Sequence, residues 1–166
     1  MRILLPAAVL SVSAIAADVE VTLEIPRLSV AEYHRPYVAL WVERADQSVA
    51  ANLAVWYDQQ TNKNETGTTW LKDLRMWWRK SGRELKMPVD GVSGATRPPG
   101  THQITFRAAK SALAGLPPGT YQLVVEAARE VGGRELIRVP FQWPALQAGS
   151  VKGQYEIGQV KVTPKP

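Results

Sequence analysis

The chain of 166 residues contains no cysteine and only two histidines, His34 and His102. Without thiols it cannot form disulfides, iron–sulfur clusters, thiolate metal sites or c-type haem linkages. Two histidines without carboxylates at helical spacing give little support for a metal site. We expect His34 to make a structural hydrogen bond at the start of a strand. The core must therefore be stable without covalent or metal cross-links.

Long apolar runs are lacking after the first sixteen residues. The segment 1–16 combines Arg2, an apolar run and the ending Ala-Ile-Ala, which predicts a secretory signal peptide cleaved after Ala16. The run is shorter than the roughly 20 apolar residues of a membrane span, and Asp18 follows at once. The predicted mature protein thus begins at Ala17 in the periplasm and does not span the membrane.

A large excess of either charge is also absent. Removal of the leader lowers the basic count from 20 to 19 against 15 acidic residues, a net charge of +4. Nucleic-acid binding needs a denser basic stripe. We therefore expect no nucleic-acid partner.

Alternating apolar and polar residues predict strands through most of the mature chain. The predicted strands are Val19–Ile25, Tyr37–Val42, Leu53–Tyr57, His102–Phe106, Tyr121–Ala127, Leu136–Gln142 and Tyr155–Val162. Apolar residues on both faces of 37–42 predict a central strand, and a phase change at Gly158 predicts a bulge. Short strands with Pro-Gly turns predict that residues 17–166 form a single domain of the mainly all-β class. Its expected architecture is an Ig-like antiparallel β-sandwich.

One amphipathic helix, Trp70–Lys80, is predicted as an insertion in the sandwich. Its apolar residues lie within about 120° of one another around the helix axis; they are Trp70, Leu71, Leu74, Trp77 and Trp78. Thr69 is the expected N-cap, and Gly82 lies just beyond the end. We expect Trp70, Leu74 and Trp77 to pack as core.

The loop Asp90-Gly91-Val92-Ser93-Gly94-Ala95-Thr96 is the most informative segment. It resembles the motif Asp-Gly-x-(Ser/Thr)-Gly-Ala-Thr, which extracytoplasmic FAD:protein FMN transferases modify. The resemblance implies covalent FMN, joined to Thr96 by a phosphoester. The rest of the recognised segment would be Asp90, Gly91, Ser93, Gly94 and Ala95. The small residues of the loop also leave the Thr96 hydroxyl open to approach. The alternative interpretation of the loop is an ordinary surface turn that carries no cofactor.

The mature chain as a whole resembles a bacterial periplasmic domain family of uncharacterised function. The segments that carry this resemblance are 33–43, 53–57, 70–79 and 93–100. Members of that family occur beside FMN transferases and PepSY-type membrane proteins, in settings linked to iron uptake. Residues 99–106 and 116–127 separately resemble the Ig-like domain of flagellar hook-capping proteins, which supports the fold alone.

These resemblances imply a periplasmic electron-transfer protein that carries FMN on Thr96 and exchanges electrons with a PepSY-type membrane partner. Trp78, at the edge of the apolar stripe, is the expected neighbour of the flavin ring. Basic residues beside it are expected to attract the FMN phosphate or an acidic partner, or to form a solvated face; they are Arg75, Arg79, Arg83 and Lys86. The alternatives are a cofactor-free Ig-like adaptor domain and a flavin-dependent reductase of ferric complexes.

Overall fold

The computed structural model describes residues 17–60 and 66–165, and the predicted signal peptide lies outside them. The strands are β1 Asp18–Ile25, β2 Tyr37–Glu43, β3 Val49–Tyr57, β4 Ser93–Ala95, β5 Gly100–Phe106, β6 Gly119–Ala128, β7 Arg134–Trp143, β8 Gly149–Lys152 and β9 Gln159–Lys165. The helical elements of the described residues are three 3₁₀ helices, Gly67–Asp73, Gly82–Glu84 and Ala112–Gly115, and one α-helix, α1 Arg75–Lys80. None of these helices is long and apolar enough to cross a membrane.

Two sheets pack face to face, which confirms the mainly β sandwich. One sheet has the order β5-β1-β9-β8, and the other has the order β4-β3-β2-β6-β7. The pairings are antiparallel except for β3 with β4, which is parallel. The predicted central strand is confirmed, because β2 pairs with β3 on one side and with β6 on the other.

The two faces of β2 enter two separate hydrophobic clusters. Val38, Leu40 and Val42 belong to the cluster between the sheets. Ala39 and Trp41 belong to a second cluster on the outer side of the five-stranded sheet, where the 67–80 segment covers them. The alternation of side chains along a strand therefore explains why both faces of this strand are apolar.

The strand order agrees with an Ig-like arrangement. Strands β1, β2, β5, β6 and β7 occupy the relative positions of strands B, C, E, F and G of an immunoglobulin domain. The carboxy-terminal strand β9 lies beside β1, where an immunoglobulin domain has strand A. Tyr121, near the start of β6, donates a hydrogen bond from its hydroxyl to the Pro117 carbonyl over 2.7 Å. This contact is the tyrosine corner typical of such sandwiches.

The predicted last strand is wrong at its start. Tyr155 to Gly158 form a turn, the strand begins at Gln159, and β8 was not predicted. Glu135 holds this turn, because its carboxylate accepts hydrogen bonds from all four backbone N–H groups of residues 154–157. The phase change at Gly158 therefore reflects a turn between β8 and β9 and not a bulge.

The predicted helix Trp70–Lys80 is also wrong in part. The backbone leaves the helical conformation at Leu74, with a ψ of 70°, so a 3₁₀ helix precedes a short α-helix. The N-cap of the 3₁₀ helix is Thr66 and not Thr69. Leu74 and Trp77 are buried as predicted, but Trp70 is 42% exposed and does not join the core.

Candidate cofactor-attachment site

Three residues of the predicted loop form β4 at the edge of the five-stranded sheet. Residues 93–95 pair in parallel with the last three residues of β3. The ladder continues on both sides, because Val55 N–H donates to the Val92 carbonyl over 2.9 Å and Thr96 N–H donates to the Tyr57 carbonyl over 3.2 Å. The motif is thus anchored to the sheet up to the backbone of Thr96.

A tight turn leads into this strand and explains two motif residues. Gly91 has a φ of 71°, a left-handed conformation that glycine adopts without steric cost. The hydroxyl of Ser93 accepts a hydrogen bond from Val89 N–H over 2.8 Å. Ser93 N–H donates in turn to the Val89 carbonyl. Gly91 and Ser93 therefore shape the turn, and the Ser93 hydroxyl already has a partner.

Gly94 lies directly against Trp56. A Cβ at this position would be 3.3 Å from Cδ1 of the indole, closer than most such contacts. The Arg97 guanidinium lies over the same indole, 4.0 Å from its ring centroid, and burial lowers the pKa of Arg97. His102 contacts the indole edge-on, with centroids 6.0 Å apart. The chain before and after Thr96 is therefore packed on one tryptophan.

Thr96 itself is half-buried and lines a cavity of about 340 Å³. This volume lies within the range of roughly 300–1,000 Å³ for small-molecule sites. The side chains around it include Arg35, Tyr37, Asp58, Trp70 and Glu130. Three other motif residues, Asp90, Gly91 and Ala95, are exposed. The Asp90 carboxylate makes no hydrogen bond to any residue in 17–60 or 66–165.

One side of the cavity is held by a contact between β2 and the 3₁₀ helix. The Tyr37 hydroxyl donates to the Gly67 carbonyl over 2.9 Å, and burial raises the pKa of Tyr37. Gly67 lies so close to the Asp58 carbonyl that a Cβ would overlap it. Glycine is therefore required at this position if the 3₁₀ helix is to approach the end of β3.

The charged side chains of the cavity differ in their partners. His34 Nε2 lies 2.8 Å from a Glu32 oxygen, and Nδ1 lies 3.5 Å from a Glu130 oxygen, as expected for a structural histidine. Arg35 is exposed and forms no ion pair with a carboxylate in 17–60 or 66–165. Over the same residues, no group of ligand side chains is arranged for a metal ion. Arg35 is therefore a cation at the Thr96 cavity that has no carboxylate partner among the residues that the structure describes.

The environments of Trp70 and Trp78 differ from those predicted from the sequence. Trp70, predicted as core, lines the cavity with Thr96. Trp78, predicted as the flavin neighbour, is partly buried against the outer hydrophobic cluster and is not among the side chains lining that cavity. The four residues of the predicted basic face are exposed and do not line the Thr96 cavity either.

The sequence pattern gives no indication that Arg35, Tyr37 or Glu130 lies near Thr96. They meet because β2 begins, and β3, β4 and β6 end, at the same end of the sheet. Tyr37 pairs with Ala128 at the end of β6, and its ring lies 6.5 Å from the Tyr57 ring. Antiparallel pairing of the predicted strands 37–42 and 53–57 would have placed Tyr37 near the end of the strand that contains Tyr57. This pairing was the one feature of the sequence that could have indicated the cavity.

Comparison with known proteins supports a periplasmic location. Residues 18–159 match the model of a family described as "Predicted periplasmic protein (DUF2271)". No curated protein and no solved structure matches the chain. Because the family model covers most of the chain, this protein belongs to the DUF2271 family of predicted periplasmic proteins.

Proposed function

We propose that this protein is a periplasmic electron carrier with FMN attached covalently to Thr96. The observation that carries the proposal is the complete motif 90–96, whose last hydroxyl group belongs to a residue lining a ligand-sized cavity. An FAD:protein FMN transferase would attach the group. Asp90 and Ala95 are exposed on the motif and are accessible to such an enzyme.

The attachment reaction balances without an oxidant. The Thr96 hydroxyl oxygen forms a bond to the flavin-side phosphorus of FAD, and the bond from that phosphorus to the bridging oxygen of the pyrophosphate breaks. AMP leaves with the bridging oxygen, and the hydroxyl proton passes to a base. The product is a phosphodiester between Thr96 and the ribityl chain. It carries one negative charge, and Arg35, which has no carboxylate partner among the described residues, lines the same cavity.

The role as a carrier follows from the chemistry of the flavin. A bound flavin accepts electrons one or two at a time, and the protein positions and tunes it. A periplasmic location would allow exchange with a PepSY-type membrane protein, as the resemblance to flavin-associated families implies. Iron assimilation is the physiological setting that this resemblance favours.

The test uses protein produced with and without an active FMN transferase. We expect the wild-type protein to gain the mass of FMN less water, and to show flavin fluorescence that survives denaturation. Thr96→Val keeps the side-chain shape without the hydroxyl, so it should fold and remain unlabelled, whereas Thr96→Ser should keep part of the label. Thr101→Val, an exposed threonine outside the motif, is the matched control and should label fully.

Two results would contradict the proposal. Wild-type protein that stays unlabelled beside a transferase that labels a control substrate would favour the cofactor-free adaptor domain. Label that persists in Thr96→Val would move the attachment point, with Ser93 as the next hydroxyl in the motif.

A further inference from the structure

Trp70 is the most exposed of the six tryptophans. It is 42% exposed, whereas Trp41, Trp56 and Trp77 are at most 3% exposed. A single exposed apolar residue is common on protein surfaces and says little by itself. The position of this indole relative to Thr96 is what gives the exposure a meaning.

The local backbone holds Trp70 away from the core. A 3₁₀ helix has three residues per turn, so residues three apart lie on the same side. Leu71 and Leu74 are three residues apart and both fully buried, so they mark the side of the helix that faces the core. Trp70 precedes Leu71 by one position and therefore points about 120° away from it. The same geometry that buries the leucines keeps the indole accessible.

Trp70 lies at the centre of a groove made of three adjoining clefts. The first cleft contains Thr96, the second contains Asp73, and the third follows the β6–β7 hairpin past Arg134. Trp70 and Glu130 line all three of them. A group tethered at Thr96 would therefore meet the indole on its way along the groove.

We infer that the isoalloxazine ring of FMN on Thr96 stacks on Trp70, an inference that rests on the function proposed above. The phosphate lies at the Thr96 end, beside Arg35, and the ribityl chain leads the flat apolar ring toward the indole. Aromatic rings favour offset stacking of this kind. The Lys72 ammonium lies over the indole, 5.7 Å from its centroid, so the flavin takes the opposite face.

The experiment compares Trp70→Leu with Trp78→Leu, both produced with the transferase. Intact mass gives the amount of attached FMN, and emission is then measured per attached FMN. An indole in contact with a flavin quenches its fluorescence by electron transfer. We expect Trp70→Leu to be labelled fully and to emit several-fold more strongly than the wild type. Trp78→Leu should remain as dim as the wild type. Trp70→Phe keeps an aromatic ring but is a poor electron donor, so it should brighten as well.

The outcomes distinguish a failure of the stacking on Trp70 from a failure of the proposed FMN attachment at Thr96. Full FMN mass with unchanged emission in both Trp70 variants overturns the stacking on Trp70, while the attachment stands. Brightening of Trp78→Leu alone would also overturn it and would assign the contact to Trp78. Absence of FMN mass in the wild type overturns the proposed function, and the inference with it. If Trp70→Leu does not fold, Trp70→Phe decides between the same results.

Discussion

The inner and outer faces of the five-stranded sheet are stabilised in different ways. The inner face packs on the other sheet through a hydrophobic cluster that includes Leu40, Val125 and Val139, all fully buried. The outer face combines Trp41 and Trp77 with buried carboxylates. Hydrophobic burial is non-directional, whereas a buried charge needs partners in defined positions. The inner face therefore builds the fold, and the outer face orients particular side chains.

Two carboxylates organise the outer face. Glu126, fully buried near the end of β6, accepts hydrogen bonds from Met76 N–H and Trp77 N–H at the start of α1. Its third partner is Arg134, at 2.7 Å. An N-cap normally comes from the residue before the helix. Here it comes from a strand 50 residues away in sequence.

Glu43 performs a similar task at the other end of α1. It accepts hydrogen bonds from the Trp41 indole over 2.9 Å and from Lys80 over 2.7 Å, and Arg138 lies at 3.2 Å. Burial acts to raise the pKa of Glu43, but the hydrogen bonds from Lys80 and Trp41 outweigh it, so the pKa lies below its ordinary value. The two carboxylates fix α1, and α1 in turn follows the 3₁₀ helix that presents Trp70.

The largest effect is expected on the inner face. Leu40→Ala removes a fully buried side chain between the sheets, so the free energy of unfolding should fall by about 3–5 kcal/mol. Urea unfolding measures this loss. Leu85→Ala, a half-buried leucine on the outer cluster, is the control and should lose less. An equal loss in the two variants would contradict the difference between the faces.

A smaller but more local effect is expected on the outer face. Glu126→Ala leaves two backbone N–H groups of α1 without an acceptor, which should cost about 2–3 kcal/mol. Hydrogen exchange of the amides in 75–80 should accelerate more than exchange in the inner strands. Glu126→Gln keeps an acceptor oxygen and should lose less stability. Slow exchange in 75–80 in the alanine variant would show that α1 does not depend on this cap.

The smallest effect is expected in the motif at the edge of the sheet. Gly91→Ala forces a side chain into a left-handed conformation, at a cost of about 1–2 kcal/mol. Gly115→Ala is the matched control, because nothing lies within 4 Å of its added Cβ and its φ is not left-handed. Thermal unfolding compares the two variants. Equal midpoints would mean that the turn before β4 relaxes without strain.

Much of the fold could be predicted from local patterns. The strands 19–25, 37–42, 53–57, 102–106, 121–127 and 136–142 fall within observed strands. The burial of both faces of β2 could be predicted, because side chains alternate between the two faces of a strand and both sets are apolar. This inference needs no knowledge of distant contacts. Strand β8 and the turn at 154–157 were missed, because the turn depends on Glu135 in β7 and not on its own residues.

Some features of the candidate site could likewise be predicted from the sequence, whereas others depend on the tertiary structure. The sequence by itself contains the motif 90–96 and gives the prediction that Thr96 is the attachment residue, since both depend only on the order of residues along the chain. Only the tertiary structure decided that residues 93–95 form an edge strand, that Arg35 lies at the Thr96 cavity, and that Trp70 lines it in place of Trp78. The physical reason is that the helix break at Leu74 accompanies contacts with Tyr37 and Glu126. Those contacts come from strands that helical periodicity cannot take into account.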